Sequence, residues 1–118
     1  MKGLGTLESR VMEVLWESEE PLSVRDIVKK LPGDYAYTTI LTVVTHLYEK
    51  DWVSREKLGR AYLYLPAQSR AEATSQVLRD IIDTSGDPEA VLLHLARIVS
   101  PSESAAFRRG LARARKKK

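Results

Sequence analysis

Residues 91–99, V-L-L-H-L-A-R-I-V, wrap apolar side chains around the whole circumference of a helix, and this constrains the fold more than any other stretch. Val91, Leu92, Leu93, Leu95, Ala96, Ile98 and Val99 leave no polar stripe for solvent, so such a helix has to be covered. Its neighbours are short helices. Ser69-Arg70-Ala71-Glu72 is a capping box, predicting a helix that carries Ala73, Val77, Leu78, Ile81 and Ile82 as far as Gly86. Asp87-Pro88 predicts a cap and a first-turn proline for the apolar helix. Ser100-Pro101-Ser102-Glu103 opens a third helix by the same devices, with Ala106, Phe107, Leu111 and Ala114 inward. About fifty residues in three short helices cannot bury the middle one alone. Two coverings are open: this chain's own N-terminal part, or a second copy in an intertwined two-fold dimer. The dimer is preferred, with Val77, Ile81, Val91, Leu92, Leu95, Ile98, Phe107 and Leu111 as its candidate contacts.

The N-terminal half carries different signals. Tyr35 to Trp52 places Ile40, Val43, Val44 and Leu47 at i, i+3, i+4 and i+7, the spacing of a helix with one buried stripe. At about 100° per residue, Thr38, Thr42, Thr45 and Glu49 fall on the opposite side, flanked by Thr39 and His46. Four β-branched threonines decorate an exposed helix poorly, because they lose rotamer freedom there. A contact surface explains the choice: threonine exchanges hydrogen bonds with base edges or phosphates, and its methyl meets a thymine methyl. An amphipathic helix whose threonines merely solvate it fits the same pattern, so this helix alone leaves both readings open.

Upstream, Thr6 is a candidate N-cap for a first helix carrying Leu7, Val11, Val14 and Leu15, ending near Ser18. Ser23-Val24-Arg25-Asp26 resembles a capping box and opens a second helix with Val24, Ile27, Val28 and Leu31 inward. Pro32-Gly33 stops it, and Asp34 or Tyr35 opens the threonine-rich helix. Two short helices joined by a tight turn make a helix-turn-helix. Trp52–Lys57 and Ala61–Leu65 then alternate like strands around a Leu58-Gly59-Arg60 turn. The expected fold is mainly α with a small β-hairpin: a winged helix-turn-helix over residues 1–66, then a three-helix dimerisation domain over 67–118 with a basic C-terminal tail. Arg55, Lys57 and Arg60 would sit against phosphates, although edge hairpins also carry charges simply to stay soluble.

Charge and composition narrow the function. Of the chain's 118 residues none is cysteine, which excludes disulfides and thiolate metal sites and fits a reducing cytoplasm. Two histidines cannot make a metal centre alone, no apolar run spans a bilayer, and the start lacks a signal-peptide core. A cytoplasmic protein without membrane insertion, metal or cofactor is expected. The net charge of +3 is unevenly spread. Residues 1–66 hold nine Lys/Arg against ten Asp/Glu, and residues 67–118 hold ten against six. The surplus lies in the tail, at Arg108, Arg109, Arg113, Arg115, Lys116, Lys117 and Lys118. An enzyme is not expected: His46 has no nucleophile beside it, and no Gly-rich phosphate loop or metal spacing appears. His94, inside the apolar segment, reads as a packed core histidine.

The chain resembles the penicillinase-repressor (BlaI/MecI) family of bacterial winged-helix repressors along nearly its whole length. The resemblance is carried by Glu8, Val11-Met12 and Leu15-Trp16 in the first helix, then by Ala36-Tyr37-Thr38-Thr39-Ile40, Thr42, Leu47 and Lys50 in the third. Gly59-Arg60, Tyr64 and Pro66 extend it into the wing. It implies a homodimeric repressor on a palindromic double-stranded DNA operator, controlling β-lactam-response genes or its own operon. Thr38, Thr39 and Thr42 fall on positions the family uses at the major groove. With the basic wing, the candidate DNA-binding set is Tyr37, Thr38, Thr39, Thr42, Thr45, His46, Lys50, Arg55, Lys57 and Arg60. The alternative is a winged-helix module for protein contacts without sequence-specific DNA binding.

Two departures bear on this transfer. His46 stands where the family usually has arginine, and Asp51 where it usually has glycine, so Asp51 must accept a left-handed turn. The cysteine cluster of copper-responsive relatives is absent, so copper sensing by that route is not expected. Some family members are inactivated when a membrane sensor and protease pathway cuts an Asn-Phe bond in the dimerisation domain. His94-Leu95 aligns there and is the candidate cleavage position, open to a protease only if its helix opens locally.

Overall fold

The computed structural model describes residues 3–116. Its order is α1 (Thr6–Glu17), α2 (Val24–Lys30), α3 (Tyr37–Glu49), β1 (Val53–Leu58), β2 (Ala61–Pro66), α4 (Arg70–Asp83), α5 (Pro88–Ile98) and α6 (Pro101–Lys116). The fold is mainly helical with one antiparallel hairpin, the winged-helix architecture expected. None of the helices among the described residues is long and apolar enough to cross a membrane.

Local capping explains most boundaries. Ser23 Oγ accepts the Asp26 amide at 3.1 Å while the Asp26 carboxylate accepts the Ser23 amide at 3.2 Å, so α2 begins where its capping box lies. Asp87 caps α5 through the Ala90 amide, and Ser100 and Glu103 close the box that starts α6. The first helix differs from expectation by one position. Gly5, not Thr6, is the N-cap, and the Glu8 carboxylate accepts its amide at 2.9 Å. Glu8 therefore satisfies this helix end without a hydroxyl partner.

The chain divides into two compact units, Met1–Val77 and Leu78–Lys118, with the division inside α4. The first has a closed core. Val11, Met12, Leu15, Ile27, Ile40, Val44 and Leu47 are fully buried, one stripe from each of three helices, and Leu22, Val24, Leu31, Val53 and Tyr64 complete the cluster. The hairpin is tied on by an isolated bridge, in which Leu22 and Tyr64 exchange backbone hydrogen bonds of 2.9 and 2.7 Å. The start of α4 belongs to this unit. Trp16 Nε1 donates to the Gln68 carbonyl at 2.9 Å, Arg70 pairs with Glu13, and Ala73 is buried.

In the second unit, α5 and α6 contain no buried residue. Ile98 is 79% exposed, Leu93 63% and Phe107 62%, with Leu78, Ile81, Leu92, Leu95 and Leu111 also exposed. Within a single chain these apolar side chains are uncovered. Val77 and Val91 are only half-buried. The basic residues of α6 at positions 108–116 are exposed, while Lys117 and Lys118 lie outside the described residues.

Candidate nucleic-acid interface

The turn into α3 requires its glycine. Gly33 has φ of +100°, a left-handed conformation that other residues adopt only with strain, although a β-carbon there would meet the Tyr35 ring at an ordinary contact distance. Tyr35 is held before the helix by Arg10, whose guanidinium donates to its hydroxyl at 3.0 Å. The helix starts at Tyr37, three residues later than the earliest point expected, Asp34.

The far end of α3 closes with a Schellman motif. The Asp51 amide bonds the Tyr48 carbonyl at 3.1 Å and the Trp52 amide bonds the Leu47 carbonyl at 2.9 Å. Asp51 has φ of 64°, the left-handed geometry anticipated for an aspartate standing in a glycine position. Trp52 thus belongs to the cap, and β1 starts one residue later, at Val53.

Between these ends, α3 buries Ile40, Val44 and Leu47 and exposes Thr38, Thr39, Thr42, His46 and Glu49, with Thr45 half-buried. Two of the hydroxyl protons are already engaged. Thr42 Oγ1 donates to the Thr38 carbonyl at 3.0 Å and Thr45 Oγ1 to the Leu41 carbonyl at 2.8 Å. These side chains present acceptor lone pairs and methyl groups outward, which suits the amino groups of adenine or cytosine and the thymine methyl.

The hairpin turn is shorter than the sequence spacing indicates. Leu58 pairs with Ala61, leaving Gly59-Arg60 as a two-residue connection with Gly59 at φ +64°. Leu58 is thereby a strand residue, and the register shifts by one from that of a three-residue turn. Arg60 is exposed at the tip, and Lys57 is exposed on β1. A groove runs from the tip to the helices, lined by Arg25, Tyr37, Leu41, Arg60 and Tyr62. Arg25, in the first turn of α2, was not among the residues expected here; only the folded chain brings it beside Tyr37.

Two expected cations are not free. Lys50 Nζ lies 3.0 Å from both Glu8 carboxylate oxygens, tying the end of α3 to α1. The Gly5 amide bond is the main reason the Glu8 carboxyl lies below the usual carboxylate range; burial opposes it, and Lys50 followed by His46 add to the lowering. Arg55 sits between two rings, its guanidinium carbon 3.9 Å from the Tyr48 centroid and 4.1 Å from that of Tyr62. Among the described residues no group of side chains could hold a metal ion.

Comparison with known proteins matches this architecture. The family model for penicillinase repressors covers residues 4–113. The chain is 37% identical over 114 residues to the transcriptional regulator BlaI of Mycobacterium tuberculosis, covering 92% of this chain and 83% of that one. Among solved structures, it shares its fold with MepR, a transcription regulator of the Staphylococcus aureus multidrug efflux pump MepA. The TM-score is 0.52 at 14% identity, over 98% of this chain and 80% of that one. Streptococcus pneumoniae FabT, solved in complex with DNA, gives a TM-score of 0.51 at 15% identity, over 98% and 76% of the respective chains. A closed winged-helix unit, a threonine-faced third helix and a family match over nearly the whole length converge: the chain belongs to the penicillinase repressor family of transcriptional regulators.

Proposed function

We propose that this regulator is a homodimeric repressor that binds a palindromic operator, with α3 in the major groove and the wing tip against the backbone. The observation that carries the reading is the outward face of α3, where Thr38, Thr39 and Thr42 stand exposed opposite a fully buried stripe. Exposed Tyr37 and the groove with Arg25 and Arg60 lie on one flank of that face, where a backbone would pass. Lys57 and Arg60 supply sequence-independent phosphate contacts, and the threonines read bases. Lys50 closes the helix on Glu8, so its contribution is to hold α3 on α1 as much as to meet DNA, while exposed His46 stays available to the duplex.

The uncovered faces of α4, α5 and α6, whose apolar residues a second copy would bury, support the dimer. Membership of the family supports β-lactam-response genes or the chain's own operon as targets. The candidate cleavage bond, His94-Leu95, lies inside α5, where Leu95 accepts the Val99 amide at 3.2 Å. Proteolytic induction would require this helix to open first. Cutting it would separate the half-site binders and remove an effective concentration worth roughly 10² or more in affinity.

The test is titration of the duplex upstream of the chain's own gene, against random DNA, at several salt concentrations. Arg60→Ala is expected to weaken both duplexes and to flatten the salt slope by about one unit. Thr39→Ala and Thr42→Ala are expected to erode operator preference by roughly 1 kcal/mol each. Full discrimination in the threonine variants would overturn the assignment of the reading face, and absence of salt-dependent binding would favour a protein-interaction module.

A further inference from the structure

Arg55 leaves β1 and inserts its guanidinium between Tyr48, in the last turn of α3, and Tyr62, on β2. One side chain thereby links the third helix to both strands of the wing. The base of the hairpin is fixed by buried Val53 and Tyr64 and by the bridge to Leu22. Beyond Arg55 the hairpin has no such anchor, since Glu56, Lys57, Leu58, Gly59, Arg60, Ala61 and Tyr62 are all exposed.

From this geometry we infer that Arg55 is a positioning residue that locks the wing against α3, and that it is not a phosphate contact. The planar guanidinium lies over both rings at stacking distance, a contact that a lysine ammonium reproduces poorly. The three residues from Arg55 to Leu58 span about 10 Å of strand. A swing of roughly 15° about the clamp would move the tip by about 2–3 Å, enough to break a hydrogen bond of ordinary length. The clamp therefore fixes where Arg60 stands relative to the threonine face. A free arginine at this position would only add charge.

The inference rests on the DNA-binding reading, and its test separates the two. In the full chain, Arg55→Ala is expected to lower affinity for the upstream duplex roughly tenfold with the salt slope of the wild type, as loss of a stacked cation without loss of a phosphate contact requires. Arg55→Lys, which keeps the charge, should lose nearly as much. Tyr48→Leu should behave like Arg55→Ala, and Tyr48→Phe, which keeps the ring, should retain far more affinity than Tyr48→Leu. A slope reduced by about one unit in Arg55→Ala would make Arg55 a phosphate contact and overturn the inference. So would wild-type affinity in Arg55→Lys. A measurement without DNA guards against failure of the functional reading itself. The Arg55 side-chain protons in the nuclear magnetic resonance spectrum should be shifted upfield by the two rings and should move back in Tyr62→Leu. Ordinary arginine shifts in the wild type would refute the clamp whether or not the chain binds DNA.

Discussion

The two halves of this chain use apolar residues at comparable density but reach opposite outcomes. In the N-terminal unit the stripes of α1, α2 and α3 face one another, and seven side chains are withdrawn completely from solvent. In the C-terminal unit, α5 carries apolar residues on most of its circumference, interrupted by Glu89, His94 and Arg97, yet neither it nor α6 contains a buried residue. The difference lies in what each helix has to pack against. Three helices and a hairpin close a core within one chain, whereas a helix apolar all round needs more surface than two short neighbours offer. The first unit is a finished domain, and the second has the composition of half of one.

The contrast can be broken most forcefully in the closed core. Leu47→Ala removes a fully buried side chain from α3, and large-to-small changes at such sites cost about 2–5 kcal/mol. The loss should appear in chemical denaturation of the full chain and should be the same at every protein concentration. A cost below about 1 kcal/mol would mean that the site collapses readily and the core is looser than its burial implies.

A smaller effect sharpens the comparison at the edge of the same unit. Glu8 has a lowered pKa, so its contribution to stability is fully present above the ordinary carboxylate value of about 4 and is lost as pH falls through the lowered folded value. Glu8→Gln should cost about 1 kcal/mol at neutral pH, through a weaker cap on α1 and the loss of the Lys50 pair. The variant's deficit should shrink on acidification below about pH 4. A deficit that stays constant across that range would show that charge on Glu8 is irrelevant.

The smallest effect has the opposite sign. Asp51→Gly removes a side chain from a left-handed position and should raise stability by about 0.5–1 kcal/mol, readable as a rise of a few degrees in thermal midpoint. A fall would mean that the aspartate carboxylate contributes to the cap after all.

How much of this was legible in the sequence varies with the range of the interaction. Caps at Ser23, Asp87 and Ser100 could be read because donor and acceptor lie within four residues of each other. The threonine face and buried stripe of α3 follow from helical periodicity, and the left-handed Asp51 from its place after the helix. The start of α1 differs by one residue because the Glu8 carboxylate accepts the Gly5 amide, which makes Gly5 the N-cap in place of Thr6. A three-residue turn would set Arg55 opposite Leu63, whereas the two-residue turn pairs it with Tyr64 and so brings it to Tyr62 on the same face. The clamp also needs Tyr48, which only the packing of α3 beside the wing brings within reach. Arg25 was missed for the same reason, since its groove partners come from three elements.

The central claim is that the C-terminal helices are half of a core, and sedimentation equilibrium of the full chain at micromolar concentration tests it most directly. The account predicts a dimer for the wild type. It predicts a monomer for Ile98→Asp, which places a charge on the most exposed large apolar side chain of α5 while leaving the folded signal of the N-terminal unit intact. A wild-type chain that sediments as a monomer at that concentration would contradict the account, because the apolar surface of α5 would then be stable in water with nothing to cover it.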